Sequence, residues 1–490
     1  MPTSPTATPR CWRWLPPRRP EAAAASVVGA NAVSDGALSA VHRRTICGWG
    51  RYPRVEAFEV EGERLEEITR DVVLTRGLGR SYGDASLPPA PGMRVANSRR
   101  ADRVLAFDPV TAMVRVQAGL TLHRLHSFFL PRGYFAPVTP GTQDVTVGGM
   151  VAADVHGKNH HVAGCFGAHV TAMKLRLPDE TITEVRAGDG GTVFDATVGG
   201  MGLTGHILEV EFRLERISSP WIVQEMRVAA DLGELVAAVR DASAQWPMTV
   251  AWSDMLARGR RRGRGIVQCG RWAQPHEAAR KTPRPTRTIQ VPVPAPPWLL
   301  SNVSIAAHNE LRFQASRLLP RQAVVSPGHF FYPLDGIRRW NLLYGRRGFT
   351  QYQCVLPWDD SLTTYRALAD TATRHGQGPF LCVVKDCGEQ GRGMLSFPKR
   401  GISFALDFPV TDGTQRLVDE LNDIVCAAGG RIYLAKDAFT RPEHFAAMEP
   451  RLADWLEVRR WLDPQLRLRS ALSRRLFGDD DYAAGRSLRK

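Results

Sequence analysis

At 490 residues, with 43% apolar and 23% charged side chains, the chain has the make-up of a globular protein too long for one ordinary core, so two domains are expected. A formal net charge of +15 points to an anionic partner (nucleic acid, acidic lipid or a phosphorylated substrate) without choosing among them. No run approaches the roughly 18 apolar residues of a membrane span, and eight scattered cysteines without a C-x-x-C pair argue against a structural zinc site or a disulfide framework.

The N-terminus carries Arg10, Arg13, Arg18 and Arg19 before an alanine run at 22–25. Glu21 and Asp35 interrupt it, so it is a poor secretory signal, and residues 1–44 are expected to be a disordered extension. A β-type run at 71–75 leads into the glycine turn RGLGRSYGD, residues 76–84. A strand feeding such a turn lets consecutive backbone N–H groups face phosphate oxygens. The spacing is not the Rossmann fingerprint and no clear helix follows. Arg76 and Arg80 either pair with a diphosphate or belong to a solvated basic turn. Alternation predicts a hairpin from 104–108 and 113–117, and Leu122, Leu125 and Phe129 mark one face of a helix at 121–130.

The stretch at 139–167, TPGTQDVTVGGMVAADVHGKNHHVAGCFG, organises the rest. Its glycines cost about 0.5–1 kcal/mol each in a regular element, a cost that makes sense where backbone lies against a flat or charged ligand. A lone histidine here reads as a satisfied core residue. A glycine pair at Gly148 and Gly149 beside His156, Lys158, His160 and His161 reads as a ligand site. A hairpin at 170–177 and 181–186, a third glycine cluster at 197–207 and a strand at 208–214 follow, so three glycine-rich turns are expected to enclose one extended ligand.

A boundary is expected at 218–220. Beyond it come a helix at 231–244, a strand at 249–254, an exposed basic run at 258–264 and a proline-rich extended loop at 283–297. Strands are predicted at 330–334, 351–356, 380–385 and 401–408, with helices at 360–374 and 415–428. That order suggests an antiparallel sheet with helices on one face. A short strand at 432–435 and helices at 441–455 and 456–463 close the chain. Lys385 and Lys436 each end an apolar strand, where partial burial lowers an amine toward the range of a base; either alone also reads as a solvated strand end. Gln351 and Gln353 share one strand face, and Trp252, Tyr332 and Tyr433 are candidate aromatic walls for a sugar-like substrate.

RGLGRSYGD, TPGTQDVTVGGMVAADVHGKNHH, VGGMGLTG, QYQ and YLAKD, in that order, resemble the decaprenylphosphoryl-β-D-ribose oxidase family of vanillyl-alcohol-oxidase-type flavoproteins. The resemblance runs from Trp49 to the C-terminal helices, and HGKNHH is its most discriminating part. It implies an α+β fold: a two-subdomain FAD-binding domain of the PCMH type at 45–217, an inserted substrate domain at 218–430 with an antiparallel sheet flanked by helices, and a segment at 431–490 returning to the first. Matched by position, the implied FAD contacts are Thr75, Arg76, Gly77, Leu78, Gly79, Arg80, Ser81, Tyr82, Gly83, Asp84, Ala85, Gly141, Thr146, Val147, Gly148, Gly149, Ala153, Asp154, Val155, His156, Ile207 and Tyr433. Lys158, Trp252, Tyr332, Gln351, Gln353 and Lys385 are implied on the substrate side, with Lys436, His156 and Tyr82 catalytic. Tyr82 stands where some relatives carry a flavin-linking histidine, so noncovalent FAD is expected, and no metal. Mycobacterial members carry cysteine and asparagine at the positions of Ala405 and Ser403, which alters the pocket wall. The segment between Gly50 and Thr75 looks shorter than in those relatives.

The implied reaction is oxidation of the 2′-hydroxyl of a polyprenyl-phosphoryl ribose to the keto sugar. A short-chain reductase partner would complete the epimerisation to arabinose for cell-wall arabinan. The protein is expected in the cytoplasm or peripherally on a membrane, on either face, with no nucleic-acid partner. Two other readings stay open at this point: an FAD oxidase of a soluble alditol or sugar lactone, and a basic surface-binding protein without catalysis, motivated by RGRRRGR.

Overall fold

The computed structural model describes residues 39–278, 288–374 and 378–479. The structure is mixed α/β, built on three principal sheets. In the first, Ala40–Cys47 pairs antiparallel with Arg54–Glu61, which runs parallel to Met93–Asn97, itself parallel to Thr75–Arg76. The expected extension at 1–44 is therefore too long. Residues 1–38 lie outside the described residues, but a strand begins at Ala40. Arg43 and Arg44, inside that expected extension, form a cross-strand ladder with Glu56, Glu59 and Glu61. The strand expected at 71–75 shrinks to Thr75–Arg76. Before it, Val73 donates its N–H to Arg94 and Leu74 accepts from Ala96, so the run follows the sheet edge without joining the ladder.

The second sheet is five-stranded and antiparallel, with Val104–Asp108, Met113–Gln117, His206–Arg213, Val170–Arg176 and Ile182–Arg186 side by side. Both expected hairpins form. Helix Leu122–Phe129, capped by the Thr121 hydroxyl, buries Leu122, Leu125 and Phe129 against this sheet's core.

The third sheet holds eight strands in the order Gln322–Val325, Ile222–Ala229, Gly265–Trp272, Met248–Ser253, Cys382–Cys387, Gly401–Pro409, Phe349–Leu356 and Arg431–Ile432. Every pairing is antiparallel. Strand periodicity splits its residues between two faces. Ile402, Phe404 and Leu406 join Cys354 and Val384 in one apolar cluster with Leu235, Leu368 and Leu421 from helices Leu232–Gln245, Thr363–Arg374 and Thr414–Ala427. Ser403, Ala405 and Asp407 alternate to the opposite face, in register with Lys385 and Val383 on one side and with Val355, Gln353 and Gln351 on the other. An apolar face takes the helices and a polar face is left for the site.

Three expectations fail locally. Residues 330–334 form no strand: Ser326 caps helix Pro327–Phe331, with Pro327 in its first turn, and the turn Pro333–Gly336 follows. A short apolar run cannot be assigned by periodicity alone. Helix Asn302–Leu318 was not foreseen, because its buried side mixes Ile305 and Phe313 with Asn309 and Ser316. In the basic run at 258–264, Arg264 is only 3% exposed and pairs with Asp254 at 2.9 Å. The loop expected at 283–297 falls partly outside the described residues, and its described part begins with Ile289–Gln290 paired to Ile337–Arg338.

The chain ends in helices Pro442–Met448, Leu452–Leu462 and Ala471–Phe477. Trp455 Nε1 donates to the Ala196 carbonyl at 3.0 Å, and Arg475 bridges Asp84 at 2.8 Å and Asp437 at 2.9 Å. Arg475 thus ties the end of the chain to the first glycine turn and to the segment bearing Lys436. Replacing it with Met strands two buried carboxylates, and thermal or denaturant unfolding should report a loss of about 3–5 kcal/mol. An unchanged transition would contradict this role.

Candidate active site

The turn at 76–84 is held from inside. Arg76 is buried and donates to the Cys47 carbonyl at 2.6 Å and to Ser86 Oγ at 2.9 Å, so it is committed to the protein and does not face a ligand. Gly79 adopts φ +64°, and a Cβ there would lie 2.1 Å from the Arg76 guanidinium. A Cβ at Gly83 would lie 1.8 Å from the Asp437 carbonyl oxygen. Asp84 is spent on Arg475, and Ala85 is buried in the apolar cluster under the helices. Thr75 Oγ1 meets His206 Nδ1 at 2.8 Å. Arg80 stacks over Trp49 at 4.1 Å and pairs with Asp144 at 2.7 Å. What remains free is backbone: among the described residues, the N–H groups of Gly77, Leu78, Gly79, Arg80 and Ser81 meet no protein acceptor. Consecutive free N–H groups make a concavity for an anion.

The organising stretch is less of a loop than expected, containing helices Val147–Ala152 and His160–Ala163. Thr146 Oγ1 caps the first helix and lies 2.3 Å from where a Gly77 Cβ would stand, so the two glycine segments touch. Gly148 allows that helix to approach Ala118, while Gly149 is exposed and Gly141 has open space around it. Val147 and Ile207 are packed in the core. Asp154 is fully buried, accepting from the Gly167 N–H and from Ser396, and Val155 packs in the core behind Ala153.

His156 crosses to the third sheet. An N–H of the Gln353 amide lies 3.0 Å from its Nε2, which fits a neutral imidazole accepting through Nε2. Burial, with Lys385, His160 and Lys436 nearby, holds His156 well below its ordinary value. Tyr433 packs edge-on against the ring at 5.2 Å and donates its hydroxyl proton to the Ala153 carbonyl at 2.8 Å. His160 and His161 are structural, bonded to the Gly388 N–H and the Trp246 carbonyl. Lys158 donates to the Phe330 carbonyl and lies over that ring at 4.4 Å; burial and Lys385 bring its amine to about 7.

The remaining groups line the polar sheet face. Lys385 sits within its strand opposite Ser403, and Lys436 in the turn after the short last strand, so neither ends a strand as expected. Both keep some accessible surface while their amines are desolvated. Lys436 Nζ lies 3.8 Å above the Tyr82 ring, which meets Phe349 edge-on at 5.2 Å. Burial pulls Lys436 down to about 7 against the attraction of Asp407. Asp407 accepts from Gln351 Nε2 at 2.5 Å and from the Tyr344 hydroxyl at 3.1 Å, and burial pushes it up to about 6. Sequence reasoning missed Asp407 and Tyr344. The signal for Asp407 was a carboxylate in phase with Ser403 in ISFALDFP; none existed for Tyr344. Of two expected pocket aromatics, Trp252 stands opposite Val383, two residues from Lys385 along that strand, and Tyr332 is packed in the core. Trp252 packs on Ile266 and Phe313 with Arg312 above it at 4.5 Å, and Tyr332 lies near His126.

A profile of the FAD binding domain family matches residues 67–186. The chain is 34% identical to the decaprenylphosphoryl-β-D-ribose oxidase of Mycolicibacterium smegmatis over 451 residues, 88% of this chain and 97% of that protein. The chain belongs to the decaprenylphosphoryl-β-D-ribose oxidase family. An uncharacterized Streptomyces coelicolor protein is 36% identical over 73% of this chain and its own full length. Mouse L-gulonolactone oxidase is 31% identical over only 26% of this chain and 30% of that enzyme. As a member of the family the chain is an FAD-dependent oxidoreductase. The free N–H run at 77–81 and the uncovered glycines beside it fit the diphosphate of that cofactor.

A buried amine held below its ordinary value costs stability wherever it is charged. Lys436 is neutral in both folded and unfolded chains only above about 10.5, and charged in both below about 7, so its cost grows as pH falls through that window and then levels off. Lys436→Met should therefore melt above wild type at pH 7, with the difference shrinking as pH rises toward 10. A pH-independent difference would refute this desolvation.

Proposed function

We propose that the chain oxidises the 2′-hydroxyl of a polyprenyl-phosphoryl ribose to the 2′-keto sugar. The carrying observation is the desolvated amine of Lys436, over Tyr82 and within the field of Asp407, on a polar sheet face that meets His156 through Gln353. FAD, when bound, supplies the acceptor for the hydride leaving C2′. Neutral Lys436 accepts the hydroxyl proton; Asp407 favours the ammonium that results, and Gln351 and Tyr344 fix the Asp407 carboxylate. His156, neutral and accepting from Gln353, orients the sugar edge. Lys385 and Lys158 take the substrate phosphate, whose charge compensates the desolvation of their amines.

The proposed organisation is an FAD-binding part at 45–217 with two subdomains, an inserted substrate domain at 218–430 and a returning segment at 431–490. The links from Arg475 and Trp455 back to Asp84 and Ala196 support it. The 77–81 backbone takes the diphosphate, Gly148, Gly149 and Ala153 lie along the flavin, and FAD is noncovalent because Tyr82 offers no linking nitrogen. A short-chain reductase completes the epimerisation. No helix among the described residues is long and apolar enough to cross a membrane, and the lipid tail of the substrate stays at a bilayer surface.

Anaerobic addition of a polyprenyl-phosphoryl ribose should bleach the flavin of the wild type. Lys436→Met should retain FAD and lose substrate-driven bleaching by orders of magnitude; bleaching at the wild-type rate would remove Lys436 from its role. Because neutral Lys436 is the acceptor, the wild-type rate should rise as pH rises through about 7. Asp407→Asn removes the charge that favours the ammonium, so the acid limb should move about 1–3 units lower. A limb that stays in place, or moves upward, would separate Asp407 from Lys436.

A further inference from the structure

The side of the molecule behind the site wall carries an apolar surface that no described residue covers. Helix Asn302–Leu318 buries Ile305, Asn309, Phe313 and Ser316, while Val303, Leu311 and Leu318 are 81%, 71% and 87% exposed. With Ala307 and Ala315, also exposed, they fall at helical spacing on one outward stripe about 25 Å long. The strap leading into the helix adds Val293 and Trp298, 64% and 69% exposed. Such a stripe is larger than scattered surface apolars and calls for an occupant.

The inner side of the same run reaches the site. Leu300 and Ile305 pack with Trp340, Tyr344 and Phe349, and Tyr82 borders that cluster. His308 lies against Phe380 at 5.7 Å, Phe380 against Tyr344 at 6.2 Å, and Tyr344 holds Asp407. Charge selects the occupant. Glu310 is the one acidic residue between 288 and 321, and Arg264 and Arg261 already pair with it. Arg258 and Arg260 on the loop linked to the helix through Glu310, Arg317 on the helix and Arg321 just beyond its end are exposed. An apolar helix face with tryptophan before it and exposed arginines beside it matches the chemistry of an anionic bilayer surface.

We propose that the outward stripe of helix Asn302–Leu318, with its strap and flanking arginines, docks the protein on anionic lipid. Docking there sets the site wall against the bilayer that carries the substrate's lipid tail, a consequence that rests on the function proposed above.

The test is co-sedimentation of the purified flavin-loaded protein with vesicles of phosphatidylcholine plus phosphatidylglycerol, and with phosphatidylcholine alone. Wild type should bind the anionic vesicles, less so as salt rises. The triple variant V303S/L311S/L318S and the double variant R317Q/R321Q should each bind about tenfold or more weakly while keeping FAD and the wild-type melting transition. Variants that bind as wild type overturn the proposal. So does a wild type that ignores vesicles but self-associates through the stripe in sedimentation velocity, which would assign this face to a second copy. Bleaching by detergent-solubilised polyprenyl-phosphoryl ribose separates the two proposals. Vesicle binding without bleaching sinks the substrate and leaves the docking face; bleaching without vesicle binding does the reverse.

Discussion

One hydrogen bond, from the Gln353 amide to the neutral His156 imidazole, joins the eight-stranded sheet to the glycine-rich segment, and the arrangement of the site depends on it. Gln353 belongs to the polar face of the eight-stranded sheet; His156 belongs to the segment that begins at the helix Val147–Ala152. The opposite sheet face buries its apolar residues under three helices, as an antiparallel sheet of this kind must. The second face would ordinarily meet water. Here it closes on the glycine-rich segments, so its polar groups are desolvated without being removed. Three desolvated lysines, of which Lys436 faces the Asp407 carboxylate, are a poor solution for stability alone, because each buried amine without a full partner is costly. Such strain concentrates where chemistry needs it.

The first glycine turn shows the same division of labour at the other end of the ligand. Its side chains are spent on the protein, Arg76 on Cys47 and Ser86 and Asp84 on Arg475, which frees the backbone between them to face outward. The C-terminal helices act on both regions at once, since Arg475 also holds Asp437, next to Lys436 in sequence. A change at the C-terminal helices can therefore move the first glycine turn and Lys436 together.

Much of this was legible in the chain. Strand patterning placed both hairpins of the five-stranded sheet and four strands of the larger one, and amphipathic spacing placed the helices that cover its apolar face. Gln351 and Gln353 were correctly put on one face because alternation is independent of tertiary context. What failed has physical causes. The expected extension reached into Ala40–Cys47 because the glutamate partners of Arg43 and Arg44 lie more than ten residues away. Helix Asn302–Leu318 escaped because its buried side is half polar while its solvent side is apolar, inverting the usual pattern. Lys385 was read at a strand end, but Asp386 and Cys387 extend the ladder past it. Tyr344 and the charge balance around Asp407 depend on contacts no local pattern encodes.

The central claim is that the glycine-rich segments and the polar sheet face enclose one flavin, with Lys436 on the substrate side of its ring. A structure of the FAD-loaded protein tests this most directly. The diphosphate should lie on the free N–H groups at 77–81, and the isoalloxazine between Ala153 and the polar sheet face, with Lys436 and Gln353 beyond its edge. A ring bound on the helix-covered side of the sheet, or a diphosphate away from that turn, would contradict it.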